Sequence, residues 1–178
     1  MRASLIKYNN TTHTANMNRV YFSQTKPNSI VPTKRDEDAG FDLYACFEEN
    51  ELVINPGGIA IVPTGIATAF DSNMVLFIKE RSSTGSIGLS LRMGVVDSGY
   101  RGELMIGLNN TTQKQIIITK EVKQMVKEEN RILYPYAKAI AQGVFLFLPQ
   151  VVSEQVSYEE LLAMKSERML DSMGESGK

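Results

Sequence analysis

From Val20 onward, short apolar runs alternate with turn signals. The runs are YACF (Tyr44–Phe47), ELVINPGG, IAIVPTGIATAF, MVLFIKE, GLSLRMGVV, ELMIGLNN, QIIITK and QGVFLFLP. Val, Ile, Phe and Tyr dominate them, and runs of ~4–8 such residues suit pleated, half-buried surfaces. Asn55-Pro56-Gly57-Gly58 and Pro63-Thr64-Gly65 punctuate these runs as turns. Many short strands at close, even spacing predict an all-β sandwich or jelly roll. Two stretches depart from this rhythm. Glu121–Ala137 is charged and partly helical in spacing, which predicts either an insertion on one loop or a long hairpin tip. Ser157–Leu170 opens with Ser157 and Glu160 at capping-box spacing and carries Leu161, Leu162 and Met169 on one side. A short helix or a linker turn fits it equally.

The ends differ from the middle. Residues 1–16 are polar and aperiodic, and read as a flexible extension. Residues 166–178 are small and polar, and read as a mobile tail. The organisation expected is therefore an extension over 1–16, a β domain over 17–165 with surplus chain near 120–131, and a tail.

Composition narrows the function. The 178 residues suffice for one core, and the formal net charge of −1 argues against a nucleic-acid or membrane-surface role. No apolar run approaches the ~18 residues of a membrane span. The lone Cys46 fits a reducing, cytoplasmic setting, and with the lone His13 it leaves no His/Cys zinc site.

Five stretches carry candidate chemistry. Gly94–Leu104 (GVVDSGYRGEL) places Asp97 in a tight turn with Tyr100 three residues on, either as a plain turn or as a base beside an aromatic platform. In DAGFDLYA, Asp42 alternates with Phe41 and Leu43; it either faces solvent or serves a site. RSSTGSIG follows an apolar run, and its Arg81, Ser82, Ser83 and Gly85 suit an anion, although the lysine of a P-loop is missing. Gln142 lies in an apolar run and, if buried, must find partners or cost roughly 1–3 kcal/mol. The tail offers Arg168, Gly174 and Ser176 as a second phosphate-friendly group.

Together and in this order, these stretches resemble the five motifs of the trimeric, all-β dUTPases. AGFDLYA is similar to the first, RSSTG to the second, GVVDSGYRGE to the third, AIAQGVF to the fourth and ERMLDSMGESG to the fifth. The resemblance implies a dUTPase-like distorted jelly roll or β-barrel, with a short helix or helical insertion and a tail that closes over the site. It implies Mg²⁺-dependent hydrolysis of dUTP to dUMP and pyrophosphate, which keeps uracil out of DNA and supplies the thymidylate precursor. The third motif implies a hairpin in which Gly94, Val95, Val96 and Asp97 receive the uracil edge. Tyr100 packs on the deoxyribose, and Asp97 is general base for water attacking the α-phosphorus. By the same resemblance, Arg81, Ser82, Ser83 and the Gly85 amide hold the triphosphate, and Gln142 joins the phosphate or water network. Asp42 reaches the metal through a coordinated water, Mg²⁺ being held mainly by phosphates. Arg168, Met173, Gly174 and Ser176 close over a neighbouring subunit's site in a homotrimer with shared active sites.

Some positions depart from the family pattern. Met173 stands where an aromatic residue stacks on uracil, Glu175 stands where a small hydroxyl residue is usual, and Tyr136-Ala137-Lys138 replaces a Gly-Asp turn. Two other functions stay open at this stage. One is a nucleotide enzyme related to dCTP deaminase; the other is a nucleotide-binding regulatory protein that keeps the fold with weak catalysis.

Overall fold

The computed structural model describes residues 18–166, in two units that divide between Leu148 and Pro149. The first unit holds thirteen short strands: β1 (Val20–Gln24), β2 (Phe41–Leu43), β3 (Glu51–Ile54), β4 (Ile59–Pro63), β5 (Ile66–Phe70), β6 (Met74–Lys79), β7 (Leu89–Arg92), β8 (Val95–Val96), β9 (Met105–Asn110), β10 (Gln115–Thr119), β11 (Val126–Lys127), β12 (Arg131–Pro135) and β13 (Ala141–Phe147). One helical turn, α1 (Ser82–Gly85), follows β6.

The strands form sheets ordered β1-β5, β11-β12-β10-β3, β2-β13-β6-β8 and β4-β9-β7. The architecture is all-β as expected, and the pairing among described residues closes no barrel. Alternation explains much of the layering. In β5, Ile66, Thr68 and Phe70 point inward while Ala67 and Ala69 are half-buried. Strand β10 is buried along Ile116–Thr119, because β3 and β12 flank it on both edges. The core joins Leu43, Ile54, Val62, Ile66, Leu76, Ile78, Leu89, Ile106, Leu108, Ile116, Ile118 and Ile140, with Tyr134 fully enclosed. Phe22, Phe41, Phe70 and Phe145 form a tilted and edge-to-face cluster with centroids 5.0–6.2 Å apart.

Three expectations need correction. The strand predicted over Tyr44–Phe47 lies just before it, at Phe41–Leu43, where it pairs with Gly143–Ala141; the Cys46 N–H turns away to the Pro63 carbonyl. The partly helical spacing of Glu121–Ala137 does not make a helix. Its β11 and β12 form a hairpin, and Ile132 and Tyr134 bury their side chains when β12 runs parallel to β10. Burial of that alternating pair outweighs the helical periodicity of the charged residues. The Asp97 stretch is not a two-stranded hairpin. Strand β8 pairs with β6 alone, and a turn follows, closed by the Tyr100 N–H on the Asp97 carbonyl at 3.0 Å.

In the second unit, α2 (Tyr158–Ala163) begins at Ser157 as its spacing predicts. Ser157 Oγ accepts from the Glu160 N–H at 3.1 Å, and the Ser157 N–H donates to the Glu160 carboxylate at 2.8 Å.

Candidate active site

Strands β2, β13 and β6 lie side by side, which sets Asp42 opposite Gln142 and Gln142 opposite Lys79. Arg81 follows the end of β6, so Asp42, Gln142 and Arg81 converge on one end of this sheet. The Arg81 guanidinium grips Asp42 in bidentate fashion, Nε to Oδ1 at 2.8 Å and Nη2 to Oδ2 at 3.3 Å. Gln142 Nε2 donates to the Glu80 carbonyl at 2.7 Å. Gly40 makes room for this amide, since a Cβ there would stand 2.8 Å from Gln142 Oε1. These residues line a cavity of about 490 Å³ together with Thr33, Lys34, Arg35 and Asp38.

The turn α1 presents the serines. Thr84 is fully buried and ties the turn by accepting the Arg81 N–H and donating to the Arg81 carbonyl. That same carbonyl accepts the Gly85 N–H at 2.9 Å, so the Gly85 amide is already occupied. The first-turn amides of Ser82 and Ser83 are the ones that lack an acceptor within the turn. Ser83 Oγ is buried without a well-aligned partner. The enclosed Tyr134 phenol lies beside it and donates to the Ala139 carbonyl at 2.7 Å. Burial pushes the Tyr134 phenol up, an effect partly offset by Ser83 and by the positive charge of Arg81.

Asp97 lies elsewhere. With Tyr100, Val95, Val96, Met93 and Glu103 it lines a separate cavity of about 280 Å³. Gly94 is required here, because a Cβ would meet the Ile78 carbonyl at 2.9 Å. Met93 before it takes a positive φ of 61°, an uncommon conformation for a side-chain-bearing residue. Tyr100 donates its hydroxyl to the Glu103 carbonyl at 3.0 Å, and Arg101 Nη1 closes the turn onto the Ser98 carbonyl at 2.6 Å. The Glu103 carboxylate accepts the Gly65 N–H at 2.6 Å and meets Lys26 Nζ at 3.1 Å, so it braces the turn. Asp97 is exposed, and among the described residues its carboxylate has no hydrogen-bond or ion-pair partner.

Ladder registers fix how far apart these groups are. Gln142 is level with Lys79 on β6, whereas Asp97 is one step past Val96, which is level with Leu76. Four residues along and two strands across amount to about 16 Å. Asp97 and Gln142 therefore line separate cavities of one chain, their backbones about 16 Å apart by ladder spacing. Among described residues, no three His, Cys, Asp or Glu side chains gather as a metal cage. The two carboxylates of this cavity, Asp38 and Asp42, are each paired with an arginine, which suits a cation that arrives with phosphate oxygens rather than one held by protein alone. Arg168, Met173, Gly174 and Ser176 lie outside the described residues. Sequence reasoning did not identify Glu80 or Tyr134 as parts of the site, since their parts come from strand pairing and not from a local motif. Gly40 lies within the AGFDLYA stretch, and strand pairing is what sets it against Gln142.

The dUTPase family model matches residues 26–128, which include Asp42, Arg81 and the Asp97 turn and end before Gln142. Among relatives named deoxyuridine 5′-triphosphate nucleotidohydrolase, that of Gloeobacter violaceus is 33% identical over 143 residues, covering 79% of this chain and 83% of its own. That of Mycobacterium sp. (strain JLS) is 33% identical over 145 residues, covering 80% and 83%. Among solved structures, a point mutant of the Staphylococcus bacteriophage 80alpha dUTPase with dUpNHpp matches with a TM-score of 0.68 at 22% identity, covering 90% of this chain and 99% of that one. A point mutant of the dUTPase from phage phi11 of S. aureus, described for its coordination of a structural Mg(II) ion, matches at 0.61 and 21%, covering 78% and 97%.

Proposed function

The chain belongs to the dUTPase family, and we propose that it divides the hydrolysis of dUTP between the two cavities described above, each active site drawing them from different subunits. The reaction converts dUTP and water to dUMP and pyrophosphate. The observation that carries this reading is the Asp97 turn, an unengaged carboxylate beside Tyr100 in a pocket also lined by Met93, Val95 and Val96.

Backbone donors and acceptors along Gly94–Asp97 read the uracil edge. A cytosine there leaves buried groups unpaired, which discriminates strongly. Tyr100, held by Glu103, packs on the deoxyribose and leaves no space for a 2′-hydroxyl. Asp97 takes a proton from water as the water oxygen bonds to the α-phosphorus, and the bond to the pyrophosphate oxygen breaks. Arg81 with Ser82 and Ser83 binds the phosphates, the exposed Ser82 hydroxyl and the open first-turn amides of Ser82 and Ser83 acting as donors. The incoming phosphates replace Asp42 on Arg81, which frees the carboxylate to face a hydrated cation. Asp42 would meet a phosphate-bound Mg²⁺ through water, and the ion would supply charge neutralisation on the leaving pyrophosphate. Gln142 orients phosphate oxygens or solvent. Arg168, Met173, Gly174 and Ser176 close over the phosphates, Met173 covering the base with its adaptable thioether.

The separation of about 16 Å between Asp97 and Gln142 supports a homotrimer with shared sites, since the two line separate cavities of a single chain. The buried, unpaired Cys46 fits a cytoplasmic protein.

Pyrophosphate release measured on dUTP, dTTP, dCTP and UTP with Mg²⁺ tests this reading. Turnover is expected on dUTP with little on the others. Deamination of dCTP, or tight dUTP binding with pyrophosphate release at background, would overturn it in favour of a deaminase-like or a regulatory role.

A further inference from the structure

Glu80 is the last residue before Arg81, and nothing in the reaction described above uses it. Three contacts meet on it. Its Oε1 accepts the Leu91 N–H at 2.8 Å, its Oε2 meets Lys79 Nζ at 3.3 Å, and its backbone carbonyl accepts Gln142 Nε2 at 2.7 Å. Leu91 lies on β7, the edge strand of its sheet, so its amide would otherwise face no ladder partner. The Leu91 amide, then Glu80's own amide and Lys79, hold the carboxylate below the ordinary glutamate range. The side chain is only 28% exposed.

The consequence is mechanical. The Glu80 carboxylate ties the segment after β6 to β7, and thereby joins two of the four sheets. At that junction the Glu80 carbonyl holds Gln142, and the next residue, Arg81, reaches Asp42. Gln142 has little freedom on its other side, where it abuts Gly40. Shifting the Glu80 backbone therefore moves a carbonyl that Gln142 depends on and the origin of the Arg81 side chain together.

We propose that Glu80 is a positioning residue for hydrolysis, anchoring its own backbone to β7 so that Gln142 and Arg81 are aligned on the phosphates. This rests on the assignment of Arg81 and Gln142 to the triphosphate. Glu80→Gln keeps a neutral acceptor for the Leu91 amide, whereas Glu80→Ala removes it.

The test compares kcat/KM on dUTP for the wild type, Glu80→Ala and Glu80→Gln as full chains, with the Gln142 side-chain amide resonances recorded by NMR on each. Glu80→Ala is expected to lose about ten- to a hundredfold in kcat/KM, in line with small misplacements of reacting groups. The Gln142 amide signals should shift, and Glu80→Gln should restore both readouts. If Glu80→Ala fails to fold, Glu80→Asp, one methylene short of Leu91, takes its place. The proposal is overturned if kcat/KM stays within about twofold of wild type with unmoved Gln142 signals, or if Glu80→Gln is as impaired as Glu80→Ala. A wild type that releases no pyrophosphate would refute the assignment of the site instead, and the Gln142 signals would still decide whether Glu80 positions that amide.

Discussion

At the scale of single residues, the account rests on Asp97. Its carboxylate is exposed and unengaged among the described residues, while Asp42, the other acid of the site, is bound to Arg81. This difference separates their roles. In the proposed reaction Asp97 takes the proton, and phosphate displaces Asp42 from Arg81. Asp97→Asn keeps the shape and removes the base, so kcat should fall by about 10²–10⁴-fold while affinity for a non-hydrolysable dUTP analogue stays near wild type. Steady-state kinetics paired with calorimetry checks this. Sequence alone pointed to Asp97, Tyr100, Arg81 and Gln142, because their neighbours form recognisable strings. It could not reveal that Arg81 rests on Asp42, or that the Gly85 amide is occupied by the Arg81 carbonyl. Both follow from how β2, β6 and α1 meet.

At the scale of elements, hydrophobic alternation read most strands correctly, because residues such as Ile66, Thr68 and Phe70 have only one buried face to occupy. It did not decide where local and long-range preferences compete. The partly helical spacing of Glu121–Ala137 left a loop insertion or a hairpin tip open, and pairing of Ile132 and Tyr134 with β10 decides for the hairpin. Tyr134 on β12 also reaches Ser83, since its phenol lies beside that residue and donates to the Ala139 carbonyl just ahead of β13. Removing that hydroxyl leaves a buried carbonyl unpaired. Tyr134→Phe should therefore destabilise the fold by about 1–2 kcal/mol in urea denaturation. An unchanged midpoint would show that this hydrogen bond contributes nothing net.

At the scale of the whole molecule, the Asp97 cavity and the Arg81 cavity are separate on one chain, and the proposed reading has them serve different partners. Their separation is set by the β6–β8 and β6–β13 registers and does not depend on side-chain rotamers. Apolar side chains left exposed on the first unit, including Ile59 and Ile61 on the edge strand β4 and Phe147 at the end of β13, are of the kind that assembly covers. The resemblance implied a trimer, and the ladder geometry supplies a physical reason for one. Neither the separation nor its consequence was legible in the sequence, because the spacing of motifs along a chain carries no distance between them.

Subunit complementation tests this division most directly. Asp97→Asn and Arg81→Ala chains, each inactive alone, are refolded together and assayed for pyrophosphate release from dUTP. Sites that combine Asp97 of one subunit with Arg81 of another should regain a substantial fraction of wild-type activity in the mixture. Activity that stays at the level of the separate mutants, in demonstrably mixed assemblies, would contradict the account.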